Sequence, residues 1–123
     1  MGKKIMIVDD DPDILITVRE LFEPLGYEVF TIPTGKDCLY ELRHGFKGVI
    51  LMDIMMPIMS GWDTIRKIIK ENLYKDNTIS MLTAKDTPDP ELGEFKNYIK
   101  DYIVKPFKSD DLIKVIEGYF SSK

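Results

Sequence analysis

Reactive side chains are scarce in this chain. It carries one cysteine, Cys38, and one histidine, His44. A lone cysteine excludes an internal disulfide framework and fits a reducing, cytoplasmic setting. Cys38 also falls on an apolar helical stripe, where it reads as a small core residue. His44 stands beside Gly45 at the end of a helical stretch. That is the place of a solvated or helix-dipole residue rather than a phosphohistidine. No apolar run nears the roughly 18 residues that a membrane span needs. The start, Met1-Gly2-Lys3-Lys4, leads straight into a strand-like run and has no cleavage signal, so secretion is not expected. Gly2 fails as a myristoylation site, because position 6 is Met rather than Ser or Thr. Basic residues never cluster beyond Lys3-Lys4, so no footprint for direct nucleic-acid binding is present. Internal repeats, linkers and low-complexity segments are absent as well.

What is present is an ordinary globular composition. The 123 residues are 44% hydrophobic and 31% charged, with a net charge of −4. This favours a single domain over residues 1–123, large enough to bury roughly two-thirds of its surface. Four apolar runs each end in a polar residue, with carboxylate, hydroxyl and ammonium chemistry among them. Ile5-Met6-Ile7-Val8 ends in Asp9-Asp10, and Val49-Ile50-Leu51-Met52 ends in Asp53. Ile79-Ser80-Met81-Leu82 ends in Thr83, and Tyr102-Ile103-Val104 ends in Lys105-Pro106.

Strand and helix patterns alternate. Strands are expected over 4–9, 27–32, 48–53, 78–83 and 101–104, mostly as continuous Ile- and Val-rich runs, as when helices cover both faces. Ile14, Val18, Leu21, Phe22 and Leu25 mark a first helix from Pro12, with Asp11 and Asp13 at its start and Gly26 at its end. Cys38, Leu39, Leu42 and Phe46 mark a second. Ile65, Ile68, Ile69 and Leu73 mark a third after Gly61, with Trp62 partly buried at its start and near Asp53. Pro88 and Pro90 restrict a fourth to a short helix carrying Leu92, Phe95, Tyr98 and Ile99, its start charged by Asp86, Asp89 and Glu91. Leu112, Ile113, Val115, Ile116 and Phe120 mark a fifth, with Ser109 as N-cap. This pattern implies right-handed βαβ units and a doubly wound parallel α/β sheet.

In such a sheet the carboxyl ends of the strands share one edge, where sites are built. Three carboxylates, a hydroxyl and an ammonium would meet there. Adjacent carboxylates repel unless a cation neutralises them, and Mg2+ takes oxygen ligands while bridging to phosphate. Asp53 is the candidate nucleophile, able to accept a phosphoryl group as an acyl phosphate. The Thr83 hydroxyl and the Lys105 ammonium would stabilise the phosphoryl oxygens. Pro57 forbids further strand, and Gly61 supplies a backbone conformation that other residues resist. Pro106 biases Lys105 to an extended backbone, and a cis Lys105-Pro106 bond would aim the ammonium at the site. Met52, Met55, Met56 and Met59 read as packing residues, not soft-metal ligands.

Val8-Asp9-Asp10, the stretch from Met52-Asp53 through Pro57 to Ser60-Gly61, Leu82-Thr83-Ala84 and Val104-Lys105-Pro106-Phe107 closely resemble the receiver domain of two-component response regulators. The resemblance covers nearly the whole chain. It implies a flavodoxin-like, five-stranded sheet of order 2-1-3-4-5 flanked by five helices. It implies Asp53 as phosphoacceptor, Asp10 and Asp53 as direct Mg2+ ligands, Asp9 acting through water, and the Met55 carbonyl as a further ligand. Lys105 would contact the phosphoryl group. Thr83, Ala84 and Tyr102 would form the switch: Thr83 moves toward the phosphoryl group, Tyr102 turns inward, and small Ala84 leaves room. The phosphodonor would be a sensor histidine kinase or phosphotransfer protein, and the receiver would catalyse its own phosphorylation and dephosphorylation. The output surface would be the fourth helix, fifth strand and fifth helix, facing a downstream protein, with the chain a monomer or a phosphorylation-dependent dimer. Lys96-Asn97-Tyr98-Ile99-Lys100 stands where many relatives carry a small-residue stretch.

Three other readings compete. An aspartyl-phosphate hydrolase of the haloacid dehalogenase kind needs a second Asp two residues after the nucleophile, where Met55 stands. A binding module that keeps the fold without phosphorylation would usually have lost an acid or the lysine. A flavodoxin-type cofactor binder needs a phosphate-cradling loop after the first strand, which is missing. Met55 also cannot orient an attacking water, so a long-lived acyl phosphate is expected.

Overall fold

Every residue from Ile5 to Val8 is fully buried, which demands cover on both faces of the strand that contains them. That strand, β1 (Lys3–Val8), is an interior strand of a sheet with β2 (Tyr27–Ile32), β3 (Val49–Asp53), β4 (Thr78–Thr83) and β5 (Asp101–Val104). The order is β2-β1-β3-β4-β5, and every pairing is parallel. The structure is a computed structural model and describes residues 2–84 and 92–121, with Leu92 described by its backbone alone. Helices α1 (Pro12–Phe22), α2 (Gly35–Arg43), α3 (Gly61–Lys70), α4 (Leu92–Phe95) and α5 (Ser109–Ser121) connect and flank the strands. The expected doubly wound α/β architecture and its strand order are therefore present.

The period of two along each strand divides the core. Met6, Val8, Ile50, Met52, Ile79 and Met81 pack with residues of α2 and α3 on one face. Ile5, Ile7, Val49, Leu51 and Leu82 pack with residues of α1 and α5 on the other. Cys38 lies buried in the first cluster, as its stripe predicts, and burial pushes its thiol up to about 12. Trp62 departs from expectation: it is fully buried, stacked on Phe95, because α3 turns its first apolar residue onto the sheet.

Helix ends follow their caps. Asp11 accepts from the Asp13 N–H at the start of α1, and Thr34 accepts from the Asp37 N–H at the start of α2. At α3, Ser60 and Asp63 form a reciprocal capping box. Four expectations shift. Pro24 lacks an N–H, so the α-helix gives way to a 3₁₀ turn over Glu23–Leu25, and Gly26 closes that turn at φ 92. Phe46 and Leu73 lie past the ends of α2 and α3 but still pack on the core. Ser109 is the first residue of α5 and not its cap: the Leu112 N–H donates to the Lys108 carbonyl. His44 does sit at the α2 terminus, as expected, with Nδ1 2.7 Å from the Tyr40 carbonyl. The expectations for Asp86, Pro88, Asp89, Pro90 and Glu91 lie outside the described residues.

At the amino edge of the sheet, α5 is tied to two strands. The Tyr119 hydroxyl donates to Asp101, and Ser80 Oγ lies 2.7 Å from the same hydroxyl. A phenol has one proton, and the carboxylate takes it, so Ser80 must be the donor to Tyr119. Burial and the Asp101 bond hold the Tyr119 phenol above its usual range.

Candidate functional site

The order of the sheet reverses between β1 and β3, and a crevice opens there at the carboxyl ends. Asp9 and Asp10 leave β1 on one side of it, and Asp53 ends β3 on the other. Carboxylate oxygens of Asp9, Asp10 and Asp53 lie within 4.8 Å of one another. Asp9 and Asp53 are buried and Asp10 is exposed, so the cluster has a dry floor and one open side.

Backbone hydrogen bonds fix these positions past the strand ends. The Asp9 N–H donates to the Ile32 carbonyl at 3.0 Å, and the Ile54 N–H to the Leu82 carbonyl at 3.1 Å. Gly61 is required by proximity. A Cβ there would stand 2.2 Å from the Asp53 carbonyl oxygen, and its N–H donates to the Ile54 carbonyl at 2.9 Å. The expected need for an unusual backbone conformation falls elsewhere, on Ile58. Its φ is 70, and the Met59 N–H donates to the Pro57 carbonyl at 2.7 Å, closing a γ-turn. Ile58 is fully exposed and Met55 is 68% exposed, so Met55 does not pack as the sequence suggests. Met52 and Met56 do.

Lys105 completes the floor. Its peptide bond to Pro106 is cis, and its N–H donates to the Thr83 carbonyl. The ammonium lies 3.0 Å from Asp9 Oδ2 and 3.2 Å from Asp53 Oδ1. The pairing with Asp9 is not legible in the sequence, since β3 and β4 separate β1 from β5. Only the length of the lysine arm bridges them. Asp9 is held from its other oxygen by the Asp11 N–H at 2.9 Å. Thr83 is buried at the end of β4, with Ala84 exposed beside it, and Tyr102 is half-buried against the core.

The electrostatics leave a deficit of positive charge. Burial raises the Asp53 carboxyl to about 6, the Asp9 charge adds to this, and Lys105 opposes it. Burial works against the Lys105 charge, yet the Asp9 hydrogen bond and the Asp53 charge hold it above its usual range. Three carboxylates and one ammonium leave two negative charges, the complement of a divalent cation. The donor set is all oxygen, which suits Mg2+.

Comparisons with known proteins point to one family. Residues 5–117 match the family model of the response regulator receiver domain. The chain is 30% identical to protein PilG of Pseudomonas aeruginosa, over 98% of this chain and 90% of that protein. It is 31% identical to regulatory protein VanRB of Enterococcus faecalis, covering 96% of this chain but 52% of that one. Among solved structures it resembles a CheY-like receiver domain protein of Methanospirillum hungatei JF-1, with TM-score 0.89 and 41% identity, over 97% of this chain and 94% of that one. It also resembles response regulator TrrA of Thermotoga maritima, solved with Mg2+ and BeF, with TM-score 0.79 and 31% identity over 94% and 96% of the two chains. No described helix is long and apolar enough to cross a membrane. With its sheet order, its acidic crevice and a family match over nearly its full length, the chain belongs to the response regulator receiver domains of two-component systems.

Proposed function

We propose that Asp53 accepts a phosphoryl group from a histidine on a sensor kinase or phosphotransfer protein, and that residues 1–123 form one receiver domain acting as a cytoplasmic switch. The observation that carries this reading is the Lys105 ammonium seated between Asp9 and Asp53 beside Asp10. An Asp53 oxygen attacks phosphorus, the P–N bond to the donor histidine breaks, and an acyl phosphate forms. Lys105 turns from Asp53 to the incoming phosphoryl oxygens, and the Thr83 hydroxyl approaches them from β4. Asp10, Asp53 and the Met55 carbonyl would hold Mg2+ directly. Both Asp9 oxygens are engaged, by Lys105 and by the Asp11 N–H, which supports a role for Asp9 through water. Bound Mg2+ would neutralise charge on the carboxylates and the phosphoryl oxygens. Water later cleaves the acyl phosphate and releases inorganic phosphate.

Phosphorylation then biases a pair of conformations through Thr83, Ala84 and Tyr102. The readout is the surface of α4, β5 and α5, presented to a downstream protein partner and not to nucleic acid or membrane, by a monomer or a phosphorylation-dependent dimer. Met55 brings no acid or amide to orient the attacking water, so the acyl phosphate persists. Met55→Asn is expected to shorten its lifetime severalfold, read by following the phosphorylated mass with time.

The test is intact mass after incubation with Mg2+ and acetyl phosphate. One added phosphate, lost in Asp53→Asn and without Mg2+, is the expected result. A folded protein that takes up none, even from a panel of histidine kinases, would instead be a phosphorylation-independent binding module.

A further inference from the structure

Two open cavities adjoin on the face formed by the β2–α2 loop, the β3–α3 loop and α3. One, of about 250 Å3, is lined by Pro33, Thr34, Gly35, Lys36, Pro57 and the pair Ile58 and Met59. The other, of about 440 Å3, shares Ile58 and Met59 and continues along α3 past Asp63, Arg66, Lys67 and Lys70. Together they form one groove with Ile58 as its crest. A groove this close-set depends on Gly35, where a Cβ would stand 2.1 Å from Thr64 Oγ1 and 2.9 Å from Met59 Sδ.

Two features distinguish this groove from ordinary surface. Its crest is a β-branched residue, fully exposed, at a positive φ that such residues rarely adopt. Its rim is basic although the chain is acidic overall, at −4. Lys36, Arg66, Lys67 and Lys70 line it against a single carboxylate, Asp63, among the described residues. Asp63 is already engaged by Arg66 and by the Ser60 N–H. Arg66 also reaches Glu94, and Glu71 beyond the rim accepts from Nε and Nη2 of Arg43. Lys36, Lys67 and Lys70 form no ion pair among the described residues.

We propose that this groove is a docking site for an extended, acidic segment of a partner protein, with an apolar side chain seated against Ile58 and Met59 and carboxylates facing Lys36, Lys67 and Lys70. It lies on the α2–α3 side of the sheet, whereas the proposed readout of Asp53 lies on α4, β5 and α5. Binding here needs no phosphorylation, so its failure and the failure of the Asp53 reading are separate results. Complementary charge steers such a segment, and the apolar anchor fixes its position.

The probe is a short fluorescein-labelled peptide of leucines flanked by glutamates, with a control in which lysines replace the glutamates. Polarisation reads affinity, and amide chemical shifts of the labelled full chain read location. The acidic peptide is expected to bind, with shifts at Gly35, Lys36, Ile58 and Lys67. Lys67→Glu with Lys70→Glu should weaken it by about tenfold or more, as should added salt. Ile58→Ser should weaken it at unchanged salt dependence, and both variants are checked for native melting. Asp53→Asn should bind like the wild type. No binding, equal binding of the lysine control, retention by the charge-reversed variant, or shifts confined to α4 and α5 would each overturn the proposal. So would self-association in sedimentation that blocks the same amides, which would make the occupant a second copy.

Discussion

At the scale of single residues, Asp53 carries a cost that its burial beside the Asp9 charge imposes. A carboxyl held at about 6 in the folded chain, above its ordinary value of 3.8, binds more protons folded than unfolded between those values. Its contribution to stability is fully present below the lower value and is lost as pH rises through the upper one. Near neutral pH the ionised group therefore opposes folding. Asp53→Asn is expected to raise unfolding free energy at neutral pH by about 1–3 kcal/mol and to change it little near about pH 4. Lys105 keeps its Asp9 partner in that variant. Urea denaturation at the two pH values checks this, and added Mg2+ should narrow the difference at neutral pH. The positions of Asp9, Asp53, Thr83 and Lys105 were legible, because each ends an apolar run in the sequence; Met55, Ala84 and Tyr102 entered only through the family resemblance. The Asp9–Lys105 bond was not, since it joins the ends of strands that are not neighbours. The exposure of Met55 and Ile58 was equally hidden, because a side chain's direction in a loop depends on a γ-turn that no residue type in Pro57-Ile58-Met59 announces.

At the scale of elements, two contacts decide how helices sit on the sheet. Gly61 lets α3 begin against the carbonyl of Asp53. Gly61→Ala must push backbone against backbone, so it is expected to cost about 1–3 kcal/mol and to displace Asp53. Urea denaturation reads the first effect and phosphate uptake by intact mass the second. Tyr119 ties α5 to Ser80 and Asp101. Tyr119→Phe leaves the buried Ser80 hydroxyl without that acceptor, at an expected cost of about 1–2 kcal/mol. Wild-type stability in the double variant Tyr119→Phe with Ser80→Ala would show that the cost is the unpaired hydroxyl. Element boundaries were readable where a residue's chemistry acts locally, as with Asp11 and Pro12 at α1. They were misread where a donor was missing, as at Pro24, or where the cap is a plain backbone carbonyl, as at Lys108.

At the scale of the whole molecule, the sheet order followed from the family resemblance, while the division of the core into two faces was hidden in continuous apolar runs and is seen only in the packing. The site occupies the carboxyl edge of the sheet, and the Ser80–Tyr119–Asp101 chain occupies the amino edge. Helix α5 spans both: its start follows the Lys105-Pro106 segment, and Tyr119, near its end, is bolted to β4 and β5. A rod fixed at one end and driven at the other pivots. If Asp53 is phosphorylated as proposed, displacement arriving from the carboxyl edge would tilt α5 about Tyr119, with the largest travel near Ser109 and the least near Gly118. Spin-label distances from each end of α5 to β1, taken with and without a phosphoryl mimic, should differ in that order. Equal travel at both ends would mean that the helix slides, and cutting the bolt with Tyr119→Phe should convert the tilt into that slide.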